Sequence, residues 1–376
     1  MKSFSLFLLG LYSSFVLAQS DIISLGTLPQ EIWETSGLLF YNGKLITHND
    51  SGNAAELYEI DIETRAITRI IRILNAQNTD WEDLSQDSEF IYIGDIGNNS
   101  GDRQDLSVLR ISKLEFDTSN EVNAETINFF YEDQVDFATT ADSDYDAEAL
   151  FVLGENLIIL TKQWQSEGTV AYKIPKLPGT FLGEKMDTYQ VNGLVTGATY
   201  DSNSETLFLV GYSQLLAPFF AEVQEVNTNA IFQGNTSKTS LDIVPTQVEA
   251  LTFDGDVFYA TSEEFQNPLF NSEAQLFQFS KDGQLSEEPE PVDQSESDAE
   301  LVVFKVPRGS EVNYILNSNK PIFGMGIFDM QGKMIVYTPL ENISDDPIDI
   351  SNLNHGIYHL AFFYGNEVLS SSFLRD

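Results

Sequence analysis

The sequence predicts an all-β protein, a β-propeller followed by a small β-sandwich. Three observations carry this reading. A paired-strand pattern recurs five times between residues 21 and 282. The last repeat lacks one strand, and a lone strand at the N-terminal end can supply it. An acidic, Pro-containing stretch then separates these repeats from a second set of alternating strands. The chain has 376 residues, enough for one large or two ordinary domains, and 42% of them are hydrophobic, so it can build a core.

The chain begins MKSFSLFLLGLYSSFVLAQS. Lys2 gives a positive start, Phe4 to Leu17 an apolar run, and Val16 with Ala18 a small-residue cleavage signal. Residues 1–18 therefore read as a secretory leader. Gly10, Ser13 and Ser14 interrupt the run, and a membrane span needs about 20 apolar residues. No other segment of the sequence could cross a membrane as a helix.

The five repeats start with TSGLLFYNGKLITHND at Thr35, WEDLSQDSEFIYIGD at Trp81, AEALFVLGENLIILTK at Ala147, TGATYDSNSETLFLVGYS at Thr196 and VEALTFDGDVFYATSEE at Val248. Each pairs two short apolar strands across a polar turn, and further strands follow. These include AELYEID, ETINFFYED, TVAYKIPKL, FFAEVQEV and a strand near SLDIV. The fifth repeat ends with AQLFQFS, and DIISLGTLP at residues 21–29 can complete it. A propeller closes its ring in this way, leaving few exposed edges. Five blades are counted over residues 19–282, and the long interval between the second and third repeats leaves room for a sixth. Residues 283–300, GQLSEEPEPVDQSESDAE, read as an acidic linker. Residues 301–376 then alternate as a small sandwich should, with turns at Gln331-Gly332 and Gly365-Asn366.

Composition narrows the function. The net charge of −39 repels nucleic acid and anionic lipid and attracts cations. There is no Cys, so disulfides, thiolate metal sites and cysteine nucleophiles are excluded. His48, His355 and His359 are the only histidines, which leaves little for imidazole-rich metal sites or Ser-His-Asp hydrolases. Walker, Rossmann and Gly-x-Ser-x-Gly motifs are absent.

Aligned across the repeats, Ser36, Glu82, Glu148, Thr196 and Glu249 fall at one position. In a propeller such positions converge on the axis. Three carboxylates there repel unless a cation or protons intervene, and oxygen ligands suit Ca²⁺ or Mg²⁺. Glu82, Glu148 and Glu249 are therefore candidate metal ligands. The other open reading is that each accepts N–H groups of a neighbouring blade. Asp50-Ser51-Gly52-Asn53 and Asp95-Ile96-Gly97-Asn98 echo each other after the second strands of two repeats. Asp50, Asn53, Asp95, Asn98 and Lys162 are thus candidates for a ligand-binding face, or else plain turn residues. Asp142 to Asp146 begins like an EF-hand loop but has Ala147 at the sixth position and Leu153 at the twelfth, and reads as a solvated acidic loop. Trp33, Trp81 and Trp164 read as core packing. His48 is the candidate base should the protein be a hydrolase.

Ile327 to Lys333, Ile348 to Leu353, Gly356-Ile357-Tyr358 and Phe373-Leu374 give the C-terminal segment an order and spacing that resemble the type A sorting domain of the type IX secretion system of Bacteroidetes. Phe304-Lys305-Val306-Pro307 stands where that family opens with Tyr-Pro-Asn-Pro, and the chain ends Arg375-Asp376 where Lys is usual. The resemblance implies handling by the type IX machinery and release outside the cell or attachment to its surface. Residues 30–280 also look similar to a family of secreted bacterial propellers, through Asp80 to Leu84, Gly94 to Asn98, Asp146 to Leu150 and Val195 to Ala198. Gluconolactonase-like and paraoxonase-like propellers, with a divalent cation on the axis, are a looser analogy. The functional expectation is an exported propeller that binds an extracellular ligand and is stabilised by Ca²⁺ or Mg²⁺. The alternative is a metal-dependent hydrolase of an ester, lactone or phosphoester.

Overall fold

The computed structural model describes residues 22–241, 243, 245–267, 270–280, 300–305, 311–317, 322–328, 334–339, 343, 347–364 and 367–375. The leader, the linker up to residue 299 and the two expected sandwich turns lie outside the described residues. Strand β1 (Ile23–Thr27) opens the described chain. The first repeat forms β2 (Thr35–Tyr41), β3 (Lys44–Asn49), β4 (Glu56–Ile60) and β5 (Ile67–Ile73). The second forms β6 (Trp81–Gln86), β7 (Phe90–Asp95) and β8 (Ser107–Ser112), then helix α1 (Lys113–Thr118), β9 (Glu121–Val122) and β10 (Glu125–Tyr131). The third forms β11 (Ala147–Leu153), β12 (Asn156–Thr161), β13 (Thr169–Pro175) and β14 (Gly179–Tyr189). The fourth forms β15 (Leu194–Asp201), β16 (Thr206–Tyr212), β17 (Pro218–Val223) and β18 (Thr236–Ser240). The fifth forms β19 (Val248–Phe253), β20 (Val257–Ser262), a hairpin of β21 (Phe265–Asn267) and β22 (Phe270–Ser272), and β23 (Gln275–Ser280).

The chain is all-β and propeller-like. The first strands of the five repeats adjoin in a ring, β2 beside β6, then β11, β15, β19 and back to β2. The N-terminal strand completes the last sheet: β1 pairs antiparallel with β23, from Ile23 opposite Gln278 to Thr27 opposite Gln275. Beside this seam Leu28, Leu38, Leu45, Ala250 and Leu276 share one core, so residues far apart in sequence are buried together. The second repeat is tied to both neighbours. Its β9 runs parallel to β5, and its β10 runs parallel to β14, which fuses the second and third sheets into one of eight strands. The interval that leaves room for a sixth unit holds α1, β9, β10 and residues 132–146 instead. The strand expected near SLDIV lies earlier, at β18.

The inner strands meet side by side without a backbone ladder, so side chains bridge the seams. The Ser36 hydroxyl donates to the Glu82 carbonyl at 2.6 Å, joining β2 to β6. The Leu150 N–H donates to Asp83 Oδ2 at 2.9 Å, joining β11 to β6. The Thr196 hydroxyl donates to the Val248 carbonyl at 2.5 Å, joining β15 to β19. The Phe40 N–H donates to Thr252 Oγ1 at 3.0 Å, joining β2 to β19. Asp83 is wholly buried, and burial holds its carboxyl well above the usual range.

The C-terminal segment forms two sheets over one core. One sheet holds β24 (Glu300–Lys305), β25 (Glu311–Asn317) and β28 (Ile348–Asp349). The other holds β26 (Ile322–Phe328), β27 (Met334–Pro339), β29 (Gly356–Tyr364) and β30 (Glu367–Arg375). Val312, Ile327, Leu360, Phe362 and Phe373 fill the space between them. The first strand begins at Glu300, which the sequence assigned to the linker.

Because Leu276 is fully buried in the closing seam, Leu276→Ala should destabilise the protein by about 2–5 kcal/mol through lost burial and a residual cavity. Urea unfolding reads this as a lower midpoint at unchanged slope.

Candidate functional site

A bulge sits near the start of every inner strand. The register shifts across Glu82 in β6, Glu148 in β11, Thr196 in β15 and Glu249 in β19. A bulge turns its extra residue off the regular pleat, and here it re-aims the side chain at a point where strands adjoin. In β2 the shift falls one residue later, at Gly37, whose φ is +66°. Ser36 is therefore not the equivalent of the other four, and it and Thr196 spend their hydroxyls on neighbouring strands.

The three Glu side chains come together. Glu82, Glu148 and Glu249 line one pocket of about 150 Å³ with Ser36, Asp50 and Lys162. Asn99, Trp164, Gln247 and Glu263 complete the wall. Two more carboxylates reach these groups. One oxygen each of Asp50, Asp80 and Glu82 lies within 4.8 Å of the others, and the same holds for Glu82, Asp146 and Glu148. Five carboxylates of the wall and these two make seven. Among the described residues Lys162 is the only cationic side chain in the wall. Its Nζ lies 2.9 Å from Glu148 Oε1, 4.5 Å above the Trp164 ring and 5.3 Å from that of Tyr212.

The seven titrate upward, each chiefly because burial penalises its charge. Asp80, Asp146 and Glu148 are pushed to about 7, with the neighbouring charges of Asp50, Glu148 and Glu249 adding respectively. Lys162 partly offsets the rise at Glu148. Glu82 and Glu263 are held well above the usual range, Glu82 also by Glu148 and Glu263 also by Glu249. Asp50 and Glu249 are raised as well. Burial would lower Lys162, but Glu148 and its other anionic neighbours outweigh it, so the ammonium is kept. Glu249 is 5% exposed and its Oε2 has no hydrogen-bond partner.

The remaining candidates separate. Asp50 and Lys162 line the pocket, but Asn53, Asp95 and Asn98 do not. Asn53 Nδ2 donates to a Glu34 carboxylate oxygen and the Asp50 carbonyl. Asp95 pairs with Arg103 at 2.8 Å and accepts the Asp80 N–H. Asn98 Oδ1 accepts the Arg103 N–H, and its own N–H donates to Asp146 Oδ1. These three fasten loops beside the pocket. His48 is fully buried and is not in the pocket wall. Its Nδ1 meets the Asn49 carbonyl at 3.0 Å, its ring stands edge-on to Trp81, and burial lowers its pKa to about 4. Asp146 is wholly buried where the sequence suggests a solvated loop, and it accepts Trp164 Nε1 at 2.8 Å. Trp81 is core as expected, but Trp164 is pocket wall and Trp33 is 36% exposed.

Sequence reasoning missed Asp80, Asn99, Asp146, Trp164, Gln247 and Glu263 as members of the site. A signal for three of them exists. Asp80-Trp81-Glu82, Asp146-Ala147-Glu148 and Gln247-Val248-Glu249 place a polar side chain two residues before each Glu. In extended chain, residues two apart share a face.

Residues 304–374 match the family described as "Secretion system C-terminal sorting domain". The chain therefore carries a type IX secretion sorting domain and is an exported protein. Among the described residues no helix is long and apolar enough to cross a membrane. No curated protein matches the chain. Among solved structures, a luciferin-regenerating enzyme is 9% identical, with TM-score 0.39 over 71% of this chain and 96% of that one. The hydrazine synthase of Kuenenia stuttgartiensis is 10% identical, with TM-score 0.33 over 93% of this chain and 79% of that one. Neither likeness is close enough to speak to activity.

Two outcomes follow from the electrostatics. Asp80, Asp146 and Glu148 bind protons in the folded chain that they have lost in the unfolded one at pH 6.5 to 8. Stability of the chain in EDTA should therefore fall as pH rises through about 7. His48, lowered to about 4, is neutral in the folded state throughout this window and about half protonated in the unfolded state at pH 6.5, so it opposes the trend, but by one group against three, and does not reverse the sign. Urea midpoints at pH 6.5 and 8 measure the effect. Lys162→Met should cost about 3–5 kcal/mol at pH 8, because it leaves Glu148 buried and unpaired, and less at pH 6.

Proposed function

We propose that the chain is an exported five-bladed propeller that binds a ligand outside the cell. A divalent cation in its pocket stabilises it, and residues from about 301 onward are the detachable address. The ring of five inner strands and the closing β1 support the blade number. The cation rests on one observation: a pocket walled, among the described residues, by five carboxylates and a single ammonium. Charge balance in such a wall takes protons or a cation. The donors are all oxygen, which suits Ca²⁺ or Mg²⁺. Oxygens on opposite sides of Ca²⁺ stand up to about 5 Å apart, against about 4.2 Å for Mg²⁺. The triads' oxygens all lie within 4.8 Å of one another, a spacing that a Ca²⁺ shell accommodates.

A second reading, metal-assisted hydrolysis of an ester, lactone or phosphoester, has one observation in its favour. Asp146 and Glu148 stand beside the cation position, where a carboxylate that the ion leaves free can act as a general base. His48 has no part in it, since it stands outside the pocket wall.

Thermal unfolding of the purified chain tests the cation. Ca²⁺ at a hundredfold excess over its dissociation constant should add about 2.7 kcal/mol relative to EDTA. Glu82→Gln should abolish that gain while the variant still unfolds cooperatively. Equal melting with Ca²⁺, Mg²⁺ and EDTA would contradict the reading. Turnover of p-nitrophenyl esters or phosphoesters that requires the ion and is lost in Glu148→Gln would favour hydrolysis over binding.

A further inference from the structure

We infer that the pocket holds two divalent cations rather than one, with the Glu82 carboxylate bridging them. The inference rests on the cation reading above and deepens it. The carboxylates fall into two triads, Asp50 with Asp80 and Glu82, and Asp146 with Glu148 and Glu82. Glu82 is the one member common to both. It is 3% exposed, and no hydrogen bond among the described residues ends on its carboxylate. A carboxylate without donors has the lone pairs of both oxygens to offer to ions. Glu249 Oε2, on the same wall, is likewise buried and without a partner.

The backbone is shaped around this arrangement. Asp80 and Glu82 are two residues apart, and the bulge at Glu82 turns its carboxylate while Asp80 stays beside it. Gly97 closes over both. A Cβ there would stand 2.1 Å from Glu82 Oε1 and 2.4 Å from Asp80 Oδ2. Its φ needs no glycine, so the close approach of the two carboxylates accounts for the residue. The Ile96 and Gly97 N–H groups donate to the Asp80 carbonyl and lock the loop there. On the other side, the Asn98 N–H and Trp164 Nε1 hold the Asp146 carboxylate, and Lys162 holds Glu148. Each triad thus has its own anchors, and Glu82 joins them.

The test is a count of bound Ca²⁺. The purified full chain is stripped with EDTA, dialysed against Ca²⁺ in 0.5 M salt to suppress loose surface binding, and its metal content measured. The proposal expects two Ca²⁺ per chain. Asp80→Asn and Asp146→Asn should each leave one, and Glu82→Gln should weaken both sites by tenfold or more. Gly97→Ala keeps every carboxylate and should still weaken the Asp80 site. Melting curves check that each variant folds, and Gly97→Ala keeps the question answerable if a charge variant does not. One Ca²⁺ per chain overturns the pair and leaves the cation reading standing. Two that survive every variant place the ions elsewhere and overturn both. None overturns both.

Discussion

Closing five strand ends around one axis forces side chains of like charge together, and that crowding governs the rest of the molecule. Two carboxylates about 5 Å apart repel by about 3 kcal/mol at an effective dielectric of about 20. Seven such groups share the mouth of the ring with the Lys162 ammonium, and only Asp80 also feels the Arg103 guanidinium beside it. A chain that folds with them there needs protons or cations in the pocket. It also needs a scaffold rigid enough to resist their separation.

That scaffold is visible at the seams. Side chains carry the inner ring, through Ser36, Asp83, Thr196 and Thr252, where no ladder joins strand to strand. Further out, β9 and β10 strap the second sheet to its neighbours, and β1 seals the last sheet to the chain's beginning. The second and third repeats, which give the triads every member but Asp50, are the ones fused into a single eight-stranded sheet. Glu82 and Glu148 are therefore held on one continuous support, which suits residues that must stay close against their own repulsion.

Much of this was legible in the sequence because its strand pattern repeats. Period-two strands, turn residues and the missing last strand led to the sheets and to the β1 closure. Aligning the repeats led to Glu82, Glu148 and Glu249. The failures have physical causes. Ser36 aligns with the Glu residues, yet the bulge in β2 slips to Gly37, and register is a backbone property that one letter code does not display. His48, Asp95 and Asn98 stand at the right strand ends, but Arg103 and the Asn49 carbonyl engage them. Asp80 and Asp146 were readable as partners of Glu82 and Glu148 two residues on, while Trp164 and Glu263 reach the pocket from loops whose course only the fold determines.

The claim that the carboxylates gather around metal is tested most directly by diffraction. Crystals of the chain grown with a lanthanide, which occupies Ca²⁺ sites, would reveal bound ions by their anomalous scattering. The account predicts strong peaks beside Glu82, within bonding distance of Asp80 on one side and Asp146 on the other. A pocket without such a peak, its carboxylates paired through shared protons and Lys162, would contradict it.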